Sequence, residues 1–135
     1  MVGGMTDAPL RVVIADDDPD IRTLVSIAVR RAGLDLVADV GAGDTALDAL
    51  KEHKPDIAIL DVSMPGMTGI EVTRALQDDA ELHGIRVFLL SAGVTDVARQ
   101  AGIDAGAEDY FFKPFSPREL AARLVEIVTK PGAAL

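Results

Sequence analysis

Apolar residues gather into five short runs: Arg11–Ala15 (RVVIA), Leu34–Val40 (LDLVADV), Asp56–Leu60 (DIAIL), Ile85–Leu90 (IRVFLL) and Glu108–Phe112 (EDYFF). Their length and their content of Val, Ile, Leu and aromatic side chains predict strands. Between them the period changes. Ile21, Leu24, Val25, Ala28 and Val29 recur at the three-and-four spacing of one buried helix face, and Gly33 predicts where that first helix stops. Thr45–His53, Ile70–Gln77, Thr95–Ala105 and Ser116–Thr129 predict helices 2 to 5. The last of these opens on Ser116-Pro117-Arg118-Glu119, in which Ser caps, Pro suits the first helical position and Glu completes a capping box.

Strands joined by helical crossovers run parallel, and near-continuous Val/Ile/Leu strands suit a sheet covered on both faces. The expected fold is therefore α/β, a doubly wound (βα)5 domain over residues 11–129, flanked by tails at Met1–Leu10 and Lys130–Leu135. The chain's 135 residues are enough for one substantial core, and 49% hydrophobic content argues against disorder. The formal charge of −9 sets the surface against phosphate backbones and anionic lipid, so direct nucleic-acid binding by this chain is not expected. There is no cysteine, no signal-peptide pattern at the start and no apolar run of membrane-spanning length, so a cytoplasmic location is expected.

In an open parallel sheet, ligands sit beyond the carboxyl ends of the strands. There the first predicted strand runs into Asp16-Asp17-Asp18, the third into Asp61, the fourth into Ser91 and the fifth into Lys113. Asp16, Asp17 and Asp61 brought close together would raise one another's pKa values, a conflict that a hard divalent cation resolves. Mg²⁺ takes oxygen ligands, often one or two carboxylates plus a phosphate. Lys113 adds a point charge for a phosphoryl oxygen and Ser91 a hydroxyl donor. Carboxylate, Mg²⁺, lysine and hydroxyl are together the parts needed to load a phosphoryl group onto a carboxylate, and Asp61, alone after its strand, is the best acceptor. Asp18, just before Pro19, reads instead as a helix cap, and Asp20 as a favourable charge in the first helical turn. His53 and His83 read as unpartnered surface residues.

Four segments carry a resemblance: "VVIADDDPDIR" (12–22), "DIAILDVSMPGMTGIE" (56–71), "FLLSAG" (88–93) and "GAEDYFFKPFSPREL" (106–120). In this order the chain resembles the receiver domains of two-component response regulators. The resemblance implies a flavodoxin-like sheet of order 2-1-3-4-5. It implies that Asp17 is a direct Mg²⁺ ligand, that Asp16 acts mainly through a water, and that Ser63 supplies a backbone carbonyl. It further implies that Asp61 is the phosphoacceptor and a ligand, that Ser91 and Lys113 assist, that Tyr110 is a switch residue, and that the Lys113–Pro114 bond is cis. On phosphorylation Ser91 is expected to move toward the new oxygens and Tyr110 to turn inward. The implied partners are a histidine kinase or histidine phosphotransfer protein, a downstream output domain or protein, and a second copy paired through the helix 4–strand 5–helix 5 face. Such a chain loads and slowly clears its own Asp61 and turns over no external substrate, so it is not an enzyme in the ordinary sense.

A second reading takes Asp16 and Asp18 as the D-x-D pair of a haloacid-dehalogenase-like phosphatase, with Asp16 as nucleophile and Asp18 as acid/base. Against it, Asp18 is engaged as a cap, no acidic pair follows a further strand after Lys113, and there is little room for a capping domain. A flavodoxin-like FMN site would need a phosphate-cradling first loop, and this acidic loop repels phosphate.

Overall fold

The computed structural model describes residues 8–93 and 95–129. Most of both expected tails, at 1–7 and 130–135, lies outside the described residues. Strands and helices alternate as β1 (Arg11–Ala15), α1 (Pro19–Arg31), β2 (Asp35–Val40), α2 (Gly43–His53), β3 (Ile57–Asp61), α3 (Gly69–Gln77), β4 (Arg86–Ser91), α4 (Asp96–Ala105), β5 (Asp109–Phe112) and α5 (Pro117–Thr129). The strands form one sheet in the order β2-β1-β3-β4-β5, with every neighbouring pair parallel. The expected flavodoxin-like (βα)5 architecture is therefore the observed one.

Alternation along each strand divides the core in two. Val13, Ala15, Ala58, Leu60, Val87, Leu89 and Tyr110 face α2, α3 and α4, whereas Val12, Ile14, Ile57, Ile59, Phe88, Leu90 and Phe111 face α1 and α5. Fully burying each large aliphatic side chain contributes about 1.5–3 kcal/mol, which explains why the three central strands carry only apolar side chains between their first and last residues. Across the sheet's lower edge, Arg86 donates from Nε and Nη2 to the two carboxylate oxygens of Glu108, at 2.8 and 2.6 Å, and from Nη1 to the Ile127 carbonyl at 3.2 Å. That fork ties β4 to the start of β5 and the end of α5.

Two boundaries differ from expectation in a way that matters for the site. Asp61 and Ser91 are the last residues of β3 and β4, where the sequence places them just beyond the strands. The reason is backbone pairing. Asp61 sits opposite Leu90, and Ser91 opposite Phe112, so both remain within the ladder. Leu10, expected in the tail, instead accepts the Asp35 N–H at 2.9 Å and packs on the α1–α5 core.

Four of the five helices start on a side-chain cap, and α2, which follows Ala42, has none. Thr68 and Glu71 form a reciprocal capping box on α3, and the Thr95 side chain caps α4. At α5 the Ser116 hydroxyl accepts the Glu119 N–H at 3.1 Å, and Glu119 answers through that hydroxyl at 3.2 Å. The Asp18 carboxylate accepts the N–H groups of Asp20 at 2.9 Å and Ile21 at 3.4 Å, so this acid starts α1 as expected. Replacing it should lower stability and nothing else. Asp18→Ala is expected to cost about 1 kcal/mol in urea unfolding while divalent-cation affinity stays unchanged; a matching loss of cation affinity would contradict the capping role.

Candidate functional site

The site stands at the carboxyl edge of the sheet because four strand ends bring it there. β1 delivers Asp16 and Asp17, β3 Asp61, β4 Ser91, and β5 runs directly into Lys113. The Lys113 N–H donates to the Ser91 carbonyl at 2.7 Å, extending the β4–β5 ladder by one bond and aiming the lysine back across the edge. The Lys113–Pro114 peptide bond is cis. An open cleft of about 480 Å³ is lined by Asp17, Asp61, Ser63, Ser91 and Lys113 among others, with Asp18 at its rim.

Asp16, Asp17 and Asp61 offer carboxylate oxygens that all lie within 4.8 Å of one another. Asp17 is exposed at the mouth, whereas Asp16 and Asp61 are only 1% and 5% exposed. Lys113 Nζ reaches both buried acids, at 3.0 Å from Asp16 Oδ2 and 3.2 Å from Asp61 Oδ1. The contact with Asp61 is a hydrogen bond. The contact with Asp16 is an ion pair to Oδ2, while Asp16 Oδ1 accepts the Asp18 N–H at 2.9 Å. A buried carboxylate oxygen that has only an ammonium shared with Asp61, beside two further acids, is what a hard divalent cation fits. The three acids thus form a candidate divalent-cation site.

Three carboxylates around a single ammonium leave net negative charge in a partly dry cleft. Burial, together with the charges of Asp16 and Asp17, pushes the Asp61 carboxyl up to about 6, against the opposing pull of Lys113. For Lys113 the balance has the other sign. Burial disfavours its charge, but hydrogen bonding and attraction from Asp16, then from Asp61, outweigh burial and hold its pKa above the ordinary lysine value.

The family model for the response regulator receiver domain matches residues 12–125. The chain belongs to that family. Among similar receivers and regulators, the "DNA-binding response regulator MtrA" of Mycolicibacterium smegmatis is 40% identical over 84% of this chain and 48% of its own length. The chain thus spans about half the length of the curated relatives it matches. Two solved structures share the fold closely. The signal receiver domain of the response regulator NarL from Mycobacterium tuberculosis superposes with a TM-score of 0.83 at 31% identity, covering 91% of this chain and 98% of that one. The chemotaxis response regulator CheY4 of Vibrio cholerae gives 0.81 at 28% identity, covering 88% and 98%.

In this receiver domain the residues singled out in the sequence fall in two places. Asp16, Asp17, Asp61, Ser63, Ser91 and Lys113 converge at the cleft, where the Ser91 hydroxyl accepts the Gly93 N–H at 3.2 Å and Ser63 lies exposed on the loop after β3. Tyr110 is elsewhere, on the sheet face toward α4. Its ring is 2% exposed, its hydroxyl donates to the Ala98 carbonyl at 3.3 Å, and it stacks on Phe112 with centroids 5.8 Å apart. The ring therefore lies on the inside of the β5–α4 contact. Two supporting residues were not singled out. Arg22 donates to the Asp16 carbonyl at 2.8 Å, yet in the sequence it reads as one more charge on an amphipathic helix. Gly69 starts α3 directly over β3, where a Cβ would overlap the Asp61 carbonyl oxygen. Its only sequence signal is a glycine at a helix start.

The raised Asp61 pKa fixes the sign of a pH effect. The fold favours the protonated acid, so the stability this group contributes is full below its ordinary value of 3.8 and is lost as pH rises through about 6. With chelator present, Asp61→Asn should equal the parent near pH 4 and exceed it by about 1–3 kcal/mol at pH 7.5 in urea unfolding. A constant difference across that range would show that Asp61 is not desolvated and crowded as described.

Proposed function

We propose that this receiver domain is a phosphorylation switch in which Asp61 accepts a phosphoryl group from the phosphohistidine of a histidine kinase or histidine phosphotransfer protein, or from a small phosphodonor. The observation carrying this reading is the convergence on Asp61 of a lysine at 3.2 Å and of two more carboxylates within 4.8 Å, at the end of a central strand. Asp16, Asp17 and Asp61, with the Ser63 backbone carbonyl, are the groups that would hold Mg²⁺. When bound, Mg²⁺ supplies positive charge that offsets the crowded acids and the incoming phosphoryl oxygens.

The chain's own residues do the rest. One Asp61 oxygen attacks phosphorus while the bond from phosphorus to the donor's imidazole nitrogen breaks, its electron pair leaving with the imidazole, which then takes a proton. Asp61 must be ionised to do this, and Lys113 favours that state by its charge. Lys113 is also placed to move its hydrogen bond from the carboxylate to a phosphoryl oxygen, and the Ser91 hydroxyl, at the end of the neighbouring strand, to donate to another. Hydrolysis of the aspartyl phosphate by water resets Asp61, so the chain processes no separate substrate.

The new charge at Asp61 biases a two-state equilibrium read at the α4–β5–α5 face, by a partner, by an output domain or by a second copy. On that face Asp109 lies 3.5 Å from both Arg99 of α4 and Arg123 of α5, so its charges are mutually engaged within the chain. With a net charge of −9 the chain itself repels DNA, and a DNA-binding function like the one in the name of MtrA belongs, on this reading, to a separate output domain or protein. No helix among the described residues is long and apolar enough to cross a membrane, which agrees with a cytoplasmic role. The phosphatase alternative is disfavoured because the Asp18 carboxylate is turned to the N–H groups of α1.

Incubating the chain with Mg²⁺ and a small acyl phosphate should add one phosphoryl group, labile to hydroxylamine, by intact mass. Asp61→Ala should abolish the label, and Asp17→Ala should lower it at least tenfold at limiting Mg²⁺. Undiminished labelling of Asp61→Ala would refute the assignment, and steady phosphate release dependent on Asp16 would favour the hydrolase.

A further inference from the structure

The three acids of the cleft are held in different ways. The Asp16 carboxylate takes the Asp18 N–H and the Lys113 ammonium, and Asp61 shares that ammonium. Asp17 is exposed at the mouth, and among the described residues its carboxylate has no such tie. What is held is the backbone on either side of it. The peptide before Asp17 is fixed through the Asp16 carbonyl, which accepts from Arg22 Nη1 at 2.8 Å. The peptide after it is fixed through the Asp18 N–H, which donates to Asp16 Oδ1 at 2.9 Å. Arg22 belongs to the first turns of α1 and reaches back over the end of β1, where a charged donor orients a carbonyl more firmly than a neutral one. A third element supplies the room. The Asp16 N–H donates to the Val40 carbonyl at 3.1 Å, which sets Gly41 beside the guanidinium. A Cβ at Gly41 would stand 2.9 Å from Arg22 Nη1 and 3.9 Å from the Asp16 carbonyl oxygen.

We propose that Arg22 is a positioning residue for Asp17: by holding the Asp16–Asp17 peptide, in space that Gly41 leaves open, it aims the Asp17 carboxylate toward Asp16 and Asp61 while leaving its oxygens to a divalent cation. Orientation through the backbone has a chemical advantage here, because a donor placed on the carboxylate itself would compete with the ion. The inference rests on the cation role proposed above for the three acids.

In the full chain, Mg²⁺ titration followed by the backbone amide shifts of residues 16–18 and 61 should saturate, and Arg22→Ala should raise the Kd about tenfold. Gly41→Ala is the gentler probe. The atom its methyl would meet is the far end of a long side chain that can swing aside, so the fold should survive while the bond to the Asp16 carbonyl is disturbed. Gly41→Ala should weaken Mg²⁺ binding too, yet add nothing in the Arg22→Ala background, because both act through one contact. Helical circular dichroism should match the parent throughout. An unchanged Kd in folded Arg22→Ala, or an equal loss from Gly41→Ala with and without Arg22, would overturn the positioning role. If Arg22→Ala does not fold, Gly41→Ala must show the loss, and an unchanged Kd there would overturn it. Asp17→Ala separates this inference from the one beneath it. A parent that binds Mg²⁺ and loses it in Asp17→Ala, while Arg22→Ala binds normally, keeps the cation site and removes Arg22 from it; a parent with no Mg²⁺-dependent shift removes both.

Discussion

Lys113 reaches two buried carboxylates with one ammonium, and the rest of the site follows from that shortfall of positive charge. Asp16, Asp17 and Asp61 carry three potential negative charges within 4.8 Å, so pairing with Lys113 cannot satisfy them all. The imbalance appears as an Asp61 carboxyl pushed up to about 6 and as an Asp16 oxygen that must share its one ammonium with Asp61. A site with these two features is poised to gain charge compensation from outside. A divalent cation would meet the need of the acids, and on the proposed reading a phosphoryl group arriving at Asp61 would give Lys113 a second anion to hold.

Parallel strands supply the geometry at little cost in polar burial. Each central strand carries only apolar side chains between its two ends, and the acids and the hydroxyl stand at or just after its last residue, so reactive groups are concentrated on one edge without disturbing either core. The same alternation separates chemistry from readout. Lys113 continues β5 into the cleft, whereas Tyr110, three residues earlier, points toward α4 on one face of the sheet. Covalent change at the edge and packing change on the face are therefore joined through a single short strand.

Much of this was legible in the sequence because it depends on local signals. Apolar runs bounded by helical periodicity located all ten elements, and the ordering of acidic, hydroxyl and basic residues after those runs located the cleft. Asp18 separated from its acidic neighbours because Pro19 marks a helix start, and its carboxylate does bind the first N–H groups of α1. What the sequence conceals depends on close approach between distant elements. Gly69 against the Asp61 carbonyl, Gly102 under the Tyr110 hydroxyl and Arg22 on the Asp16 carbonyl all read locally as ordinary helix residues. The contact of the Tyr110 hydroxyl with the Ala98 carbonyl is hidden for the same reason, because nothing in the linear pattern reveals the approach of α4 to β5.

The position of β5 at the margin of the sheet, paired with β4, bears on the order in which the molecule assembles. The acids belong to β1 and β3, central and directly paired, so they can meet as soon as the middle of the sheet forms. Their lysine comes only with the outer strand. A partly folded chain with β5 undocked would hold crowded acids without their internal counter-charge, and that repulsion would be reduced, though not removed, when the last strand arrives. Where β5 docks last, Lys113 would serve as a latch on the finished sheet as well as a member of the site, and free divalent cations would relieve the same repulsion before that strand is in place.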